Sequence, residues 1–208
     1  MRVYHKMANI FNDYIARSSI ILPDHINKMP WQITDDLSEI ILEMIGTCGS
    51  EYSVNEGIAV HKSAVIEQNA VLKPPVFIGE HATVGANAYI RGPVLLDRGV
   101  HIGAGCEIKQ SVIFADTAVA HFNYIGNSII GSNVNFEAGA VAANHFNERT
   151  DKIIPVNIDD KIINTGVKKF GSLVGDGCRI GANAVLSPGT ILKKGFVVKR
   201  LELIAQVK

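Results

Sequence analysis

An apolar residue falls at every sixth position from Val60 to Ala120, through Ile66, Leu72, Ile78, Val84, Ile90, Leu96, Ile102, Ile108 and Phe114. Gly follows four positions of this pattern, in Ile78-Gly79, Val84-Gly85, Ile102-Gly103 and, later, Ile180-Gly181. A helical period of 3.6 residues does not generate such spacing. A strict period of six predicts an all-β solenoid in which short strands and tight corners form the flat faces of a prism. The sixth residue points inward, Gly or Asn relaxes the corner, and each rung hydrogen-bonds to the next.

Residues 1–57 do not follow this period and hold the clearest helical stretch of the chain. Thr34 is placed to cap it, Asp35 and Asp36 suit the positive end of its dipole, and Leu37, Ile40, Ile41, Met44 and Ile45 form an apolar stripe. A shorter segment, Met7 to Ala16, carries Ile10, Phe11, Tyr14 and Ile15 at helical spacing. The expectation is a small α-helical N-terminal cap over residues 1–57 that closes the open end of a solenoid formed by residues 58–208. The repeat slips after Ala120, with Ile125 and Ile130 at spacing five. Residues 143–173 leave it altogether, which predicts an excursion carrying a small hairpin, and Val174, Ile180, Leu186, Leu192 and Val198 resume it.

Composition narrows the function. Lys+Arg and Asp+Glu number 20 each, so no bulk field attracts nucleic acid or a membrane. The 47% hydrophobic content with only 7% aromatics fits a core layered from Ile, Val, Leu and Ala. Cys48, Cys106 and Cys178 are scattered and include no C-x-x-C pair, which predicts structural thiols and neither disulfides nor a zinc site. No apolar segment is long enough to span a bilayer and the N-terminus has no secretory signal, so the expected compartment is the cytoplasm.

If three hexads close one turn, Arg91 and Lys109, 18 apart, stack on adjacent rungs. Two cations at sheet spacing repel unless an anion lies between them, so the pair points to a phosphate site, to neutralisation by Glu107, or to side chains diverging into water. His121 faces out beside the slip, where a neutral imidazole can take a proton from an amine or hydroxyl. A lone histidine is more often structural. Here Asn123, Tyr124, Asn133, Asn135, Asn144 and His145 lie close by, a polar density that packing does not require, although Asn133 and Asn183 have the simpler role of left-handed corner residues. His61, His81, His101 and His121 recur at 20 residues, which is not the coil period, and no His pair has metal-ligand spacing.

These motifs carry a resemblance. Residues 78–152 are similar to the acetyltransferase domain of the bifunctional enzyme that acetylates glucosamine-1-phosphate and then makes UDP-N-acetylglucosamine. The matching elements are Arg91-Gly92-Pro93, Glu107-Ile108-Lys109, His121-x-x-Tyr124-Ile125-Gly126, and Asn133-Val134-Asn135 with Asn144 nine residues after Asn135. Asn164-Thr165-Gly166, Lys169-Phe170-Gly171 and Gly175-Asp176 resemble the archaeal-type version of that domain. The N-terminal appendage and the Lys199-Arg200-Leu201-Glu202-Leu203 ending resemble stand-alone chains of the LpxA-like hexapeptide-repeat acyltransferases.

The resemblance implies a left-handed parallel β-helix that assembles as a homotrimer with active sites between subunits, no bound metal or cofactor, and acetyl-CoA as co-substrate. It implies that Arg91 and Lys109 hold a sugar phosphate, that Lys152 completes that site, and that Tyr124 and Asn135 hold the sugar. His121 would be the general base and Asn144 would orient the amine or acyl group. Ala138, through its N–H, Ala182 and Arg200 would meet the thioester donor. Residues 1–57 are too short for a nucleotidyltransferase domain and contain no Gly-rich nucleotide loop. The expected reaction is acetyl transfer to an amino-sugar phosphate or nucleotide-linked sugar. Two alternatives are an acyl-carrier-protein donor, which Lys193, Lys194, Lys199 and Arg200 would attract, and a non-catalytic trimeric module that binds sugar phosphate.

Overall fold

In the structure, a computed structural model that describes residues 10–16, 21–25 and 27–207, the period of six becomes a left-handed parallel β-helix with three faces. The first face stacks β2 (Ile58–His61), β5 (Val76–Ile78), the end of β7 (Tyr89–Leu96), the end of β9 (Glu107–Ile113), β12 (Ile129–Ile130), β17 (Ser172–Val174) and β20 (Thr190–Leu192). The second is a seven-stranded sheet of β3 (Val65–Ile66), β6 (Thr83–Val84), β8 (His101–Ile102), β10 (Ala118–Val119), β13 (Asn135–Phe136), β18 (Arg179–Ile180) and β21 (Val197–Val198). The third holds β4 (Val71–Lys73), the starts of β7 and β9, β11 (Tyr124–Gly126), β14 (Val141–Ala142), β19 (Val185–Leu186) and β22 (Leu203–Ile204). Buried Ile, Val, Leu and Ala fill the prism. Cys106 and Cys178 are buried with them, and burial pushes both thiols up.

The coils are not all 18 residues long. Arg91 pairs with Lys109 at 18, but Val94 pairs with Ser111 and Ile129 with Val112 at 17. The period therefore slips earlier than the apolar pattern suggests: the inward residue after Ile108 is Ile113, followed by Val119, Ile125, Ile130, Phe136 and Ala142. Phe114 lies outside the prism in a second apolar cluster, and Ala120 follows the core residue Val119. Both five-residue steps fall at the corner from the third face to the first, where Gln110 and Asn127 adopt left-handed φ of 46°. A serine ladder seals this corner. Ser111 Oγ donates to Lys109 O at 2.7 Å and accepts Ser128 N–H at 3.0 Å, while Ser128 Oγ donates to Gly126 O and accepts Ser172 N–H.

The helical segment sits elsewhere than expected. Helix α2 (Pro30–Thr47) starts four residues before Thr34 with Pro30 in its first turn, a position where the missing N–H costs nothing. Gln32 Oε1 accepts the Met29 N–H at 2.8 Å, and Thr34, inside the helix, donates its hydroxyl back to Trp31 O. Its buried face, Trp31, Ile33, Leu37, Ile40 and Ile41, does not close an end of the solenoid. It lies along the first face, against the outward residues Phe77, Leu95, Val112 and Phe114. Each such side chain contributes about 1.5–3 kcal/mol by leaving water. Within Met7 to Ala16 the described helix is α1 (Ile10–Tyr14), and residues 7–9 lie outside the described residues. Tyr14 O accepts the Asp176 N–H and the Asp176 carboxylate accepts the Ala16 N–H, which fastens that segment to the rungs after the excursion. The edge of β2 is covered by antiparallel β1 (Tyr52–Asn55).

The excursion carries the expected hairpin, β15 (Pro155–Ile158) with β16 (Lys161–Asn164), turned by Asp159 and Asp160 at φ 48° and 61°. Ile154, Val156, Ile158 and Phe170 add to the outer cluster, and Phe170 meets Trp31 edge-on at 5.8 Å. The first face is thus covered twice, by the N-terminal segment and by the excursion.

Candidate active site

At the corner from the third face to the first, the strand register stacks outward residues Lys73, Arg91, Lys109 and Gly126 in one column. Glu107 Oε1 accepts from Arg91 Nη1 at 3.2 Å, so part of the charge is neutralised. Lys109 makes no ion pair among the described residues. Burial first, then the charges of Lys169 and Arg91, hold its ammonium below the usual lysine range, against the opposing pull of Glu107. The excursion thus returns a further cation, Lys169, to a pair the sequence already placed on adjacent rungs. With Lys73 in the same column, four cations stand at this corner with the carboxylate of Glu107, an arrangement that favours an anion.

One rung on, the column has no side chain. A Cβ on Gly126 would fall 2.5 Å from Tyr124 Oη and 2.9 Å from Asn144 Nδ2, so this glycine opens the notch in which those two groups meet and hydrogen-bond. Burial, then Glu107, raises the Tyr124 phenol, while Arg91 and Asn144 oppose that rise. Asn144 is buried and held on three sides. Its Nδ2 donates to Asn127 Oδ1 at 2.6 Å, its Oδ1 lies 3.1 Å from His145 Nδ1, and its carbonyl accepts the Phe170 N–H. Arg91, Lys109, Tyr124 and Asn144 are therefore gathered at one place.

His121 lies on the corner between the second and third faces. Backbone bonds run from Phe122 N–H to Ala104 O, Gly139 N–H to His121 O, Asn183 N–H to Ala138 O and Leu201 N–H to Ala182 O. They stack Ala104, His121, Ala138, Ala182 and Arg200 as one ladder, with an imidazole where neighbouring rungs place alanine. The His121 side chain is exposed and makes no hydrogen bond or ion pair among the described residues. Its backbone is fixed instead: buried Asn123 donates to His121 O at 3.2 Å and accepts Ala140 N–H at 2.8 Å.

The N–H groups along this ladder differ in a way that bears on chemistry. Glu67 Oε2 accepts the Ala86 N–H at 2.7 Å and Glu137 Oε2 accepts the Ala182 N–H at 2.8 Å. The residue in the equivalent place beneath Ala138 is Ala120, and the Ala138 N–H has no hydrogen-bond partner among the described residues. It is an open donor next to the imidazole. Arg200 is held by Glu137 through two bonds of 2.7 Å, which raise the guanidinium and lower the carboxyl.

Two expected site residues stand apart. Asn135 is exposed on β13 beside Arg179, on the second face. Lys152 Nζ donates to Phe146 O at 2.9 Å and Asn147 O at 2.7 Å, closing its own loop, and Lys169 is the lysine that acts electrostatically on Lys109. Sequence reasoning missed Lys169, Gly126 and Glu137 as site-forming groups. Glu137 was within reach, since it repeats the place of Glu67; Gly126 becomes informative only once the 17-residue coil puts it above Lys109.

Residues 173–199 match the family model for the hexapeptide repeat of succinyl-transferase, and residues 80–154 match that for the GMPPB C-terminal domain. The chain carries a hexapeptide repeat. This hexapeptide-repeat chain is 31% identical over 201 residues to the bifunctional protein GlmU of Methanococcus maripaludis, covering 86% of this chain and 48% of that one. It is 39% identical over 84 residues to a bifunctional sugar-1-phosphate nucleotidylyltransferase/acetyltransferase of Sulfurisphaera tokodaii, covering 40% and 20%. It spans about half the length of the first relative and a fifth of the second. Among solved structures, a hexapeptide transferase family protein from Anaplasma phagocytophilum is 20% identical with a TM-score of 0.49, covering 71% of this chain and 74% of that one.

Proposed function

We propose that this chain transfers an acetyl group from acetyl-CoA to the amine of an amino-sugar phosphate or nucleotide-linked sugar. In this reading Arg91, Lys109 and Lys169 bind the phosphate and Tyr124 contacts the sugar, while Asn135, on the second face, reaches it only from a neighbouring subunit of the trimer. His121 takes the amine proton as nitrogen attacks the thioester carbonyl; the C–S bond then breaks, and His121 returns that proton to sulfur so that coenzyme A leaves as the thiol. The Ala138 N–H polarises the carbonyl, Asn144 orients the amine, and Ala182 and Arg200 meet the coenzyme. Transfer is direct, with no covalent enzyme intermediate, and the working form is a homotrimer.

One observation carries the reading: among the described residues an uncapped N–H at Ala138 and an unpartnered imidazole at His121 share one ladder, close along the chain to a surplus of cations around Tyr124 and Asn144. A binder of phosphate needs only the cations. The relatives named for acetyl transfer support the same class of reaction. The test is thiol release from acetyl-CoA with a panel of amino-sugars that includes glucosamine-1-phosphate. Sugar-dependent release is expected; binding of sugar phosphate without release from acetyl-CoA would favour an acyl-carrier donor or a binding module.

A further inference from the structure

The corner between the second and third faces is turned in every rung by a residue with left-handed backbone: Asn69 at φ 64°, Asn87 at 59°, Gly105 at 68°, Phe122 at 55°, Gly139 at 72° and Asn183 at 55°, with Leu201, likewise large, apolar and exposed, at 60° in the last rung. Asn and Gly adopt this conformation readily, whereas a bulky side chain resists it. Phe122 is also 75% exposed. A large apolar side chain has thus been placed where both the backbone and the solvent disfavour it, beside the unpartnered imidazole of His121.

Its ring is seated. A Cβ on Gly105, in the same column one rung earlier, would lie 2.7 Å from both Cδ1 and Cε1 of Phe122. One ring edge therefore rests on bare backbone and the remainder stays open. Along this rung His121, Phe122 and Tyr124 follow one another, and along the rung beneath Gly105 leads to Glu107 and Lys109. In chain order the ring follows the imidazole and precedes Tyr124, whose strand pairs with the one that carries Lys109.

We infer that Phe122 is a stacking platform for the hexose ring of the acceptor, whose apolar C–H face covers the phenyl while its phosphate reaches the cations and its amine reaches His121. This rests on the sugar-phosphate reading above and adds to it a residue that selects a pyranose over other phosphorylated amines. An aromatic face gains from such contact by apolar burial, whereas Asn or Gly at the same corner offers none.

The test is calorimetric titration with glucosamine-1-phosphate and with phosphoethanolamine, which carries the same amine and phosphate and has no ring. Phe122→Asn folds, since Asn87 and Asn183 turn the same corner. It is expected to weaken glucosamine-1-phosphate about ten-fold and to leave phosphoethanolamine unchanged, while Phe122→Trp keeps wild-type affinity for both. Equal affinity of wild type and Phe122→Asn for the sugar phosphate overturns the platform and leaves the functional reading standing. Equal loss of both ligands also overturns it, as does a changed sedimentation coefficient without loss of affinity, which would make the ring a subunit contact. A wild-type protein that binds neither ligand removes the sugar-phosphate reading and the platform with it.

Discussion

Around Gly126, a missing side chain leaves room for Tyr124 Oη to meet Asn144 Nδ2. Gly126→Ala is expected to displace the phenol, weakening sugar phosphate about ten-fold with little change in thermal midpoint, because the Gly126 backbone is not left-handed. Titration and melting of the variant check both halves. Lys109 yields a pH prediction. Its ammonium is held below the usual lysine value of 10.5, so the unfolded chain keeps the proton to higher pH and this group adds stability as pH climbs towards 10.5. An anion between Arg91 and Lys109 reverses the shift. Binding of phosphate in that alkaline window should take up a proton, visible as a binding enthalpy that depends on buffer ionisation heat. Arg91 and Lys109 were legible because their spacing equals the coil length, and Asn144 because its spacing from Asn135 carried the resemblance. Lys169 was not, since the path of a 27-residue longer coil decides where it lands.

Among the elements, the rungs were legible and the placement of the helix was not. A period of six reports only inward positions. The runs Val76-Phe77-Ile78, Val94-Leu95-Leu96 and Val112-Ile113-Phe114 report something more, since a strand apolar on both sides must be covered on both. That signal marks the first face as the seat of α2, and Leu37 is fully buried against it. Leu37→Ala should cost about 2–5 kcal/mol, read from the denaturation midpoint. The ladder that carries His121 makes a sharper prediction. Ala120 stands where Glu67 and Glu137 cap the N–H groups of Ala86 and Ala182. Ala120→Glu should cap the Ala138 N–H likewise and lower turnover at least ten-fold at unchanged sugar affinity, because a donor to the developing oxyanion is lost. Unchanged kcat in a folded variant would take Ala138 out of the mechanism.

On the scale of the whole molecule, one covered face leaves the other two faces and their shared corner for ligands. The N-terminal segment and the excursion both lie on the first face, while His121, Ala138 and Arg200 stand on the corner opposite it and Arg91, Lys109 and Tyr124 on the third. Among the described residues no helix is long and apolar enough to cross a membrane. In the proposed reaction His121 serves chemistry and not binding or folding. The direct measurement is kcat and sugar-phosphate affinity of His121→Ala beside wild type. A fall in kcat of at least a hundred-fold, with affinity and thermal midpoint preserved, is the predicted result; undiminished turnover, or a variant that no longer folds, would contradict it.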